Sequence, residues 1–76
     1  MNNNIKTANE LNRGEKSTIT NVVGADNMII ALLKQGLTPG TVIEKKYSGT
    51  FGNPVAYFAR GALIALRKDE AQCLQI

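Results

Sequence analysis

The spacing of apolar and polar positions changes several times along the chain, and each change marks an element. Between Lys16 and Val23 the β-formers Thr18, Ile19, Thr20, Val22 and Val23 follow the turn-like Arg13-Gly14-Glu15. They predict a first strand that Gly24 ends. Its inward parity is undefined, because Val22 and Val23 are adjacent. Leu11 is the first candidate core residue. The period then lengthens in "DNMIIALLKQG", where Met28, Ile29, Leu32 and Leu33 recur at helical spacing. Asp26 or Asn27 is placed to cap the free N–H groups of the first turn, and Lys34 complements the negative pole. A helix this short does not persist alone and has to lean on a sheet.

The segment "QGLTPGTVI", residues 35–43, is the most heavily punctuated part of the chain. Gly36 stands where a left-handed residue stops a helix, with Leu37 positioned to fold back onto Leu32. Thr38-Pro39-Gly40-Thr41 fits a type II turn, with proline presetting the first central residue and glycine accepting the positive φ of the second. "TVIEKKY" then reads as a second strand, "SGTFGNP" as a loop, "VAYFA" and "LIALR" as strands joined at Arg60-Gly61, and "KDEAQ" as a helical turn with Asp69 or Glu70 at its positive end. "CLQI" closes the chain with Leu74 and Ile76 on one face. The order is a strand, a helix and four short strands: a mainly-β chain, suited to a small closed barrel that hides its edges.

A two-residue turn at Arg60-Gly61 fixes the register of the hairpin around it. Ala59 then faces Ala62, Phe58 faces Leu63, Tyr57 faces Ile64, Ala56 faces Ala65, and Val55 faces Leu66. Val55, Leu66, Tyr57, Ile64, Ala59 and Ala62 form the better core face. Phe58 and Leu63 fall on the other, where either the helix or a terminus covers them or they form a patch suited to a protein partner.

At 76 residues and 8.2 kDa the chain is one domain with little material for an enclosed active site. The polar start, "MNNNIKTANE", reads as a disordered tail over residues 1–7, ahead of a domain over residues 8–76, and not as a signal peptide. No apolar run approaches membrane-spanning length, so direct membrane insertion is not expected and a cytoplasmic location is. One cysteine, Cys73, excludes an internal disulfide, and the absence of histidine removes the commonest general base and metal ligand. A net charge of +3 is mild, and nucleic-acid binding is not expected from it.

The chemistry-bearing patterns are weak. "GEKST" at 14–18 lacks the glycine before the lysine and the earlier glycine of a phosphate-binding loop, and "GTFG" at 49–52 is no dinucleotide fingerprint. Asp26, Glu44, Asp69 and Glu70 are better explained as surface and capping residues than as ligands of a hard cation. Cys73 reads as a small buried residue with no base to activate it. No catalytic residue, metal site or cofactor is expected. Lys45-Lys46 sits where the strand leaves the sheet, and Tyr47 and Phe51 flank the same loop. The lysine pair protects an edge or meets an acidic partner or phosphate, and basic residues with aromatics also suit a nucleic-acid single strand, for which two of each are weak evidence.

"ELNRGEK", "LLKQGLTPGTVIE", "GNP" and "GALIALRKDEAQCLQI", in that order and spacing, resemble the FeoA family over nearly the whole ordered chain. Gly36 to Thr41 and Ala65-Leu66-Arg67 followed by Glu70-Ala71 carry most of the likeness. The resemblance implies an SH3-like five-stranded barrel, with one short α-helix between strands 1 and 2 and a short helical turn before the last strand. It implies no enzymatic activity. It implies a role in ferrous iron uptake through contact with the cytoplasmic G-protein part of FeoB, the membrane iron(II) transporter. The chain departs from the family's pattern at Met28, Ile29, Ile30, Gln35, Lys45 and Phe58. The more apolar helix surface that results leads to an expectation of self-association. The partner surface expected on this reading is Phe58, Leu63 and Arg60, with Lys45, Lys46, Tyr47 and Phe51 as a flanking loop. The alternatives are a stand-alone regulatory module, related to the C-terminal SH3-like domain of metal-dependent repressors, and a small basic RNA-binding barrel.

Overall fold

The first run of β-formers is shared between two sheets. In the computed structural model, which describes residues 6–76, Lys16–Thr18 (β1) and Asn21–Val22 (β2) pair with different partners. The break falls at Ile19-Thr20. Ile19 is fully buried; its N–H donates to the Thr41 carbonyl at 2.8 Å and its carbonyl accepts from the Gly40 N–H at 2.7 Å. The N–H of Thr20 turns instead to the Gln75 carbonyl at 2.7 Å. One strand was expected over this stretch. Its undefined parity has a physical cause, since the chain crosses between sheets there and cannot keep one face inward.

Helix α1 spans Asp26–Lys34. Neither Asp26 nor Asn27 caps it: Ala25 holds the extended N-cap position with no side-chain bond, and Asp26 is already the first helical residue. Its charge still favours the positive pole. The helix stops as its sequence predicts. The Gly36 N–H donates to the Leu33 carbonyl at 2.9 Å and the Leu37 N–H to the Leu32 carbonyl at 3.1 Å, the paired bonds of a Schellman stop. The Thr41 N–H then closes the type II turn on the Thr38 carbonyl at 3.0 Å, with Gly40 at φ +94°.

The chain continues as β3 (Val42–Ser48), a short 3-10 turn at Thr50–Gly52, β4 (Val55–Ala59), β5 (Ala62–Leu66), α2 (Lys68–Ala71) and β6 (Leu74–Gln75). The larger sheet runs β1-β3-β4-β5, antiparallel throughout, and β2 pairs with β6 in a second ladder. The protein is therefore mainly β, as expected. The five expected strands are six, and they form two separate ladders. The tail expected over residues 1–7 falls mostly outside the described residues. Its last two are tied down: Thr7 bridges to Gln75, and the Lys6 carbonyl accepts from the Ile76 N–H at 2.9 Å.

Between the layers lie Ile19, Leu32, Leu37, Ile43, Tyr57, Leu66 and Leu74, all fully buried. Tyr57 is the largest of them, and its hydroxyl donates to the Ala8 carbonyl at 3.2 Å. That bond ties β4 to the short 3-10 turn at Ala8–Glu10 and satisfies a hydroxyl that would otherwise be costly to bury. Cys73 is half-buried, with its thiol donating to the Asp69 carbonyl at 3.3 Å. Burial, then the charges of Asp69 and Glu70, push that thiol up, so it is no poised nucleophile.

Candidate functional site

The β4–β5 hairpin has the register set by its two-residue turn. Ala59 pairs with Ala62, Phe58 with Leu63, Tyr57 with Ile64, Ala56 with Ala65, and Val55 with Leu66. Arg60 and Gly61 both take positive φ, +52° and +78°, the form whose twist matches the flanking strands. Val55, Tyr57, Ala59 and Leu66 are buried, which leaves Phe58 and Leu63 on the outer face of the larger sheet. Both stay partly in water: Phe58 is 38% exposed and Leu63 54%.

Register extends this face across all four strands. Lys16 of β1 pairs with Glu44 of β3, Glu44 with Phe58 of β4, and Phe58 with Leu63 of β5, so the four side chains form one row. Val42 shares the face with Glu44 and is 52% exposed. Lys16, Val42, Glu44, Phe58, Ala59 and Arg60 line a depression of about 230 Å3. Val42, Lys16 and Glu44 were not among the expected site residues. The signal was in the period-2 pattern of "TVIEKKY", in which a buried Ile43 turns Val42 and Glu44 outward.

The strand does not leave the sheet at Lys45-Lys46 as expected. It runs on to Ser48 and absorbs one extra residue in a bulge between Lys45 and Tyr47. Lys45 pairs with Tyr57 and so belongs to the inner side, whereas Tyr47 pairs with Ala56, on the face of Phe58. Lys46, the extra residue, reaches the same face. Its Nζ lies 3.4 Å from the Glu44 carboxylate and 5.7 Å from the centre of the Phe58 ring. An exposed pair of this kind contributes at most about 1 kcal/mol. Its effect is to hold a cation over the ring face, a favourable placement. The bulge therefore brings Lys46 and Tyr47 to the Phe58 face and separates Lys45 from them. Phe51 stands apart in the 3-10 turn, fully exposed at φ +60°.

Arg60 has a second task, one that sequence reasoning missed. Its Nε donates to the Gly36 carbonyl at 2.8 Å, and its Nη2 donates to the hydroxyls of Thr38 and Thr41 at 3.3 and 3.2 Å. The buried Thr41 hydroxyl also donates to the Gly36 carbonyl at 3.2 Å and lies 3.1 Å from that of Thr38. The guanidinium thus fastens the β4–β5 turn to the corner between α1 and β3. Its charge remains at the rim of the depression. The two groups are 24 residues apart in sequence, and only the fold joins them. Arg60→Ala is expected to lower stability by about 1 kcal/mol, which corresponds to roughly 4–8 °C of melting temperature in a domain this small. Arg60→Lys should recover little, because an ammonium cannot reach all three acceptors in the guanidinium's planar geometry. An unchanged thermal melt for Arg60→Ala would overturn the clamp.

Among the described residues, no three His, Cys, Asp or Glu side chains come together to hold a metal ion. Among the same residues no helix is long and apolar enough to cross a membrane. Along α1, Ile30 and Leu33 are exposed while Leu32 is buried, so one face of the helix packs and an apolar strip remains outside.

No curated protein matches the chain. Among solved structures, a crystal structure of an iron uptake regulatory protein, FeoA, is similar at 27% identity and a TM-score of 0.81, over 93% of this chain and 92% of that one. FeoA of Stenotrophomonas maltophilia in complex with zinc shares the fold at 22% identity and a TM-score of 0.79, over 91% of this chain and 86% of its own. It is described as an SH3 domain protein and put forward as a ferrous iron transport activating factor. A manganese-dependent transcriptional repressor shares the fold at 15% identity and a TM-score of 0.83; 95% of this chain covers 40% of the repressor. The FeoA domain model matches residues 6–76, and the chain belongs to the FeoA family.

Proposed function

We propose that this protein is a non-catalytic accessory factor of ferrous iron uptake, and that it docks on the cytoplasmic G-protein part of a FeoB-type iron(II) transporter through the outer face of its larger sheet. The observation that carries the reading is the partly exposed apolar row of Phe58 and Leu63 beside Val42, with Lys16 and Lys46 around it. A soluble monomer seldom leaves such residues together without a partner. The central aromatic, framed by charge, suits an anchor residue of an interface. Tyr47 and Arg60 extend the surface at its edges, whereas Lys45 and Phe51 lie away from its centre. Family membership supports the link to iron transport. The action is by contact, and the cytoplasm is where that part of the transporter is met.

Phe58→Asp tests this. Introducing a charge at the centre of the row should weaken binding to the transporter's G-protein domain at least tenfold by titration calorimetry. The fold should survive, because the side chain is already partly in water. Unchanged affinity in a folded variant would remove this face from the interface. Likeness to the repressors is one of fold and supplies no DNA-reading element, so the regulatory alternative gains nothing specific from it.

A further inference from the structure

The larger sheet ends on β5, and among the described residues no strand pairs with that edge. Because Ala59 and Ala62 flank a two-residue turn, Ala62, Ile64 and Leu66 direct their backbone groups to β4. Those of Leu63 and Ala65 point the other way. Among the described residues no backbone or side-chain group bonds to them, and both residues are exposed. The next outward N–H, that of Arg67, is taken by the Glu70 carboxylate at 2.8 Å. The free stretch therefore has defined ends: the Arg60-Gly61 turn on one side and the start of α2 on the other. Within it the sequence is Ala-Leu-Ile-Ala-Leu, with no charge, proline or bulge to discourage pairing. The opposite edge, β1, carries Lys16.

We propose that the β5 edge accepts an extended segment of the docking partner as an added strand, a segment with an apolar centre and an acidic residue at the end that meets Arg60. This rests on the docking reading above and specifies its geometry. The backbone groups of Leu63 and Ala65 supply two donors and two acceptors in the spacing of one further ladder. An apolar side chain opposite Leu63 extends the Phe58–Leu63 row. Charge selects one end. Arg60 stands there, whereas at the other the charges of Arg67 and Lys68 are offset by Asp69 and Glu70, whose carboxylates accept from the Glu70 and Arg67 N–H groups. In the register centred on Ile64 a second copy of this chain is disfavoured, because Arg60 of one copy stands opposite Lys68 of the other, and like charges in that arrangement repel.

The test uses the complex of this protein with the G-protein domain of a FeoB-type transporter. Amide hydrogen exchange at Leu63 and Ala65 should slow at least tenfold on binding. Ala65→Pro should weaken binding at least tenfold, since it removes an N–H that bonds to nothing in the free protein and leaves the β4–β5 ladder intact. If that variant does not fold, the exchange measurement on the unaltered chain decides alone. A complex that depends on Phe58 while both amides exchange as in the free protein overturns strand addition and leaves face docking standing. Failure of the unaltered chain to bind overturns the docking reading and this proposal with it. A dimer of this chain that Ala65→Pro dissociates overturns the assigned occupant.

Discussion

Tyr57→Ala is expected to remove about 3–5 kcal/mol of stability. Tyr57 is the largest of the fully buried side chains, at the centre of β4. Truncation leaves a cavity between the layers and strips the Ala8 carbonyl of its donor. A domain of 76 residues has only about 4–11 kcal/mol to lose, at 0.05–0.15 kcal/mol per residue. At the low end of that range a large share of the molecules should be unfolded at 37 °C, and at any point in it the thermal midpoint should fall steeply. Tyr57→Phe separates the two contributions, because it keeps the ring and should cost only about 1 kcal/mol. It also tests an alkaline dependence. Burial raises the pKa of the Tyr57 hydroxyl above its ordinary value, so the folded state holds this proton more tightly than the unfolded chain. The resulting stability is fully present below about pH 10 and falls as pH rises through the folded-state pKa. In Tyr57→Phe that fall should be smaller; an identical alkaline transition in the two proteins would rule Tyr57 out as its source.

The second large effect is expected at Gly36. This residue sits at φ +85°, and a Cβ built there would lie 2.9 Å from Cδ of Arg60 and 3.3 Å from its Nε. Gly36→Ala therefore meets two penalties at once. The left-handed backbone disfavours any L side chain by about 1–2 kcal/mol. The new methyl also displaces Arg60 from the Gly36 carbonyl and the hydroxyls of Thr38 and Thr41. Together they should cost about 2–3 kcal/mol, measurable by urea denaturation. The double variant Gly36→Ala/Arg60→Ala separates them: if the clash with Arg60 matters, the two changes should cost less together than the sum of their separate effects. Strict additivity would place the whole penalty in the backbone.

Both variants act where local sequence and distant contact meet, and they mark how much the sequence could show. The corner from Gly36 to Thr41 was legible because its requirements are local. Positive φ at Gly36 and Gly40 and a preset φ at Pro39 depend on the residues themselves. The hairpin was legible for the same reason, since Arg60-Gly61 sets every pair from Ala59–Ala62 to Val55–Leu66. The buried and outward faces followed from period 2. The capping of α1 was not legible, because either of two adjacent polar residues could have served and the backbone at Ala25 decided the matter.

The sequence by itself thus determined the mainly-β architecture, the helix stop, the hairpin register and the pairing of Phe58 with Leu63. These rest on interactions among residues close along the chain, where turn chemistry leaves few alternatives. Tertiary structure decided the rest. The first strand breaks because Ile19 bonds to Gly40 and Thr41 while Thr20 bonds to Gln75. Lys46 joins Phe58 because a bulge shifts the β3–β4 register. Arg60 clamps a corner 24 residues away because the sheet brings β4 back beside it. The second ladder forms between β2 and β6 and, among the described residues, leaves Leu63 and Ala65 of the β5 edge without a backbone partner. Each depends on which distant segments lie side by side, and no local pattern of side chains encodes that.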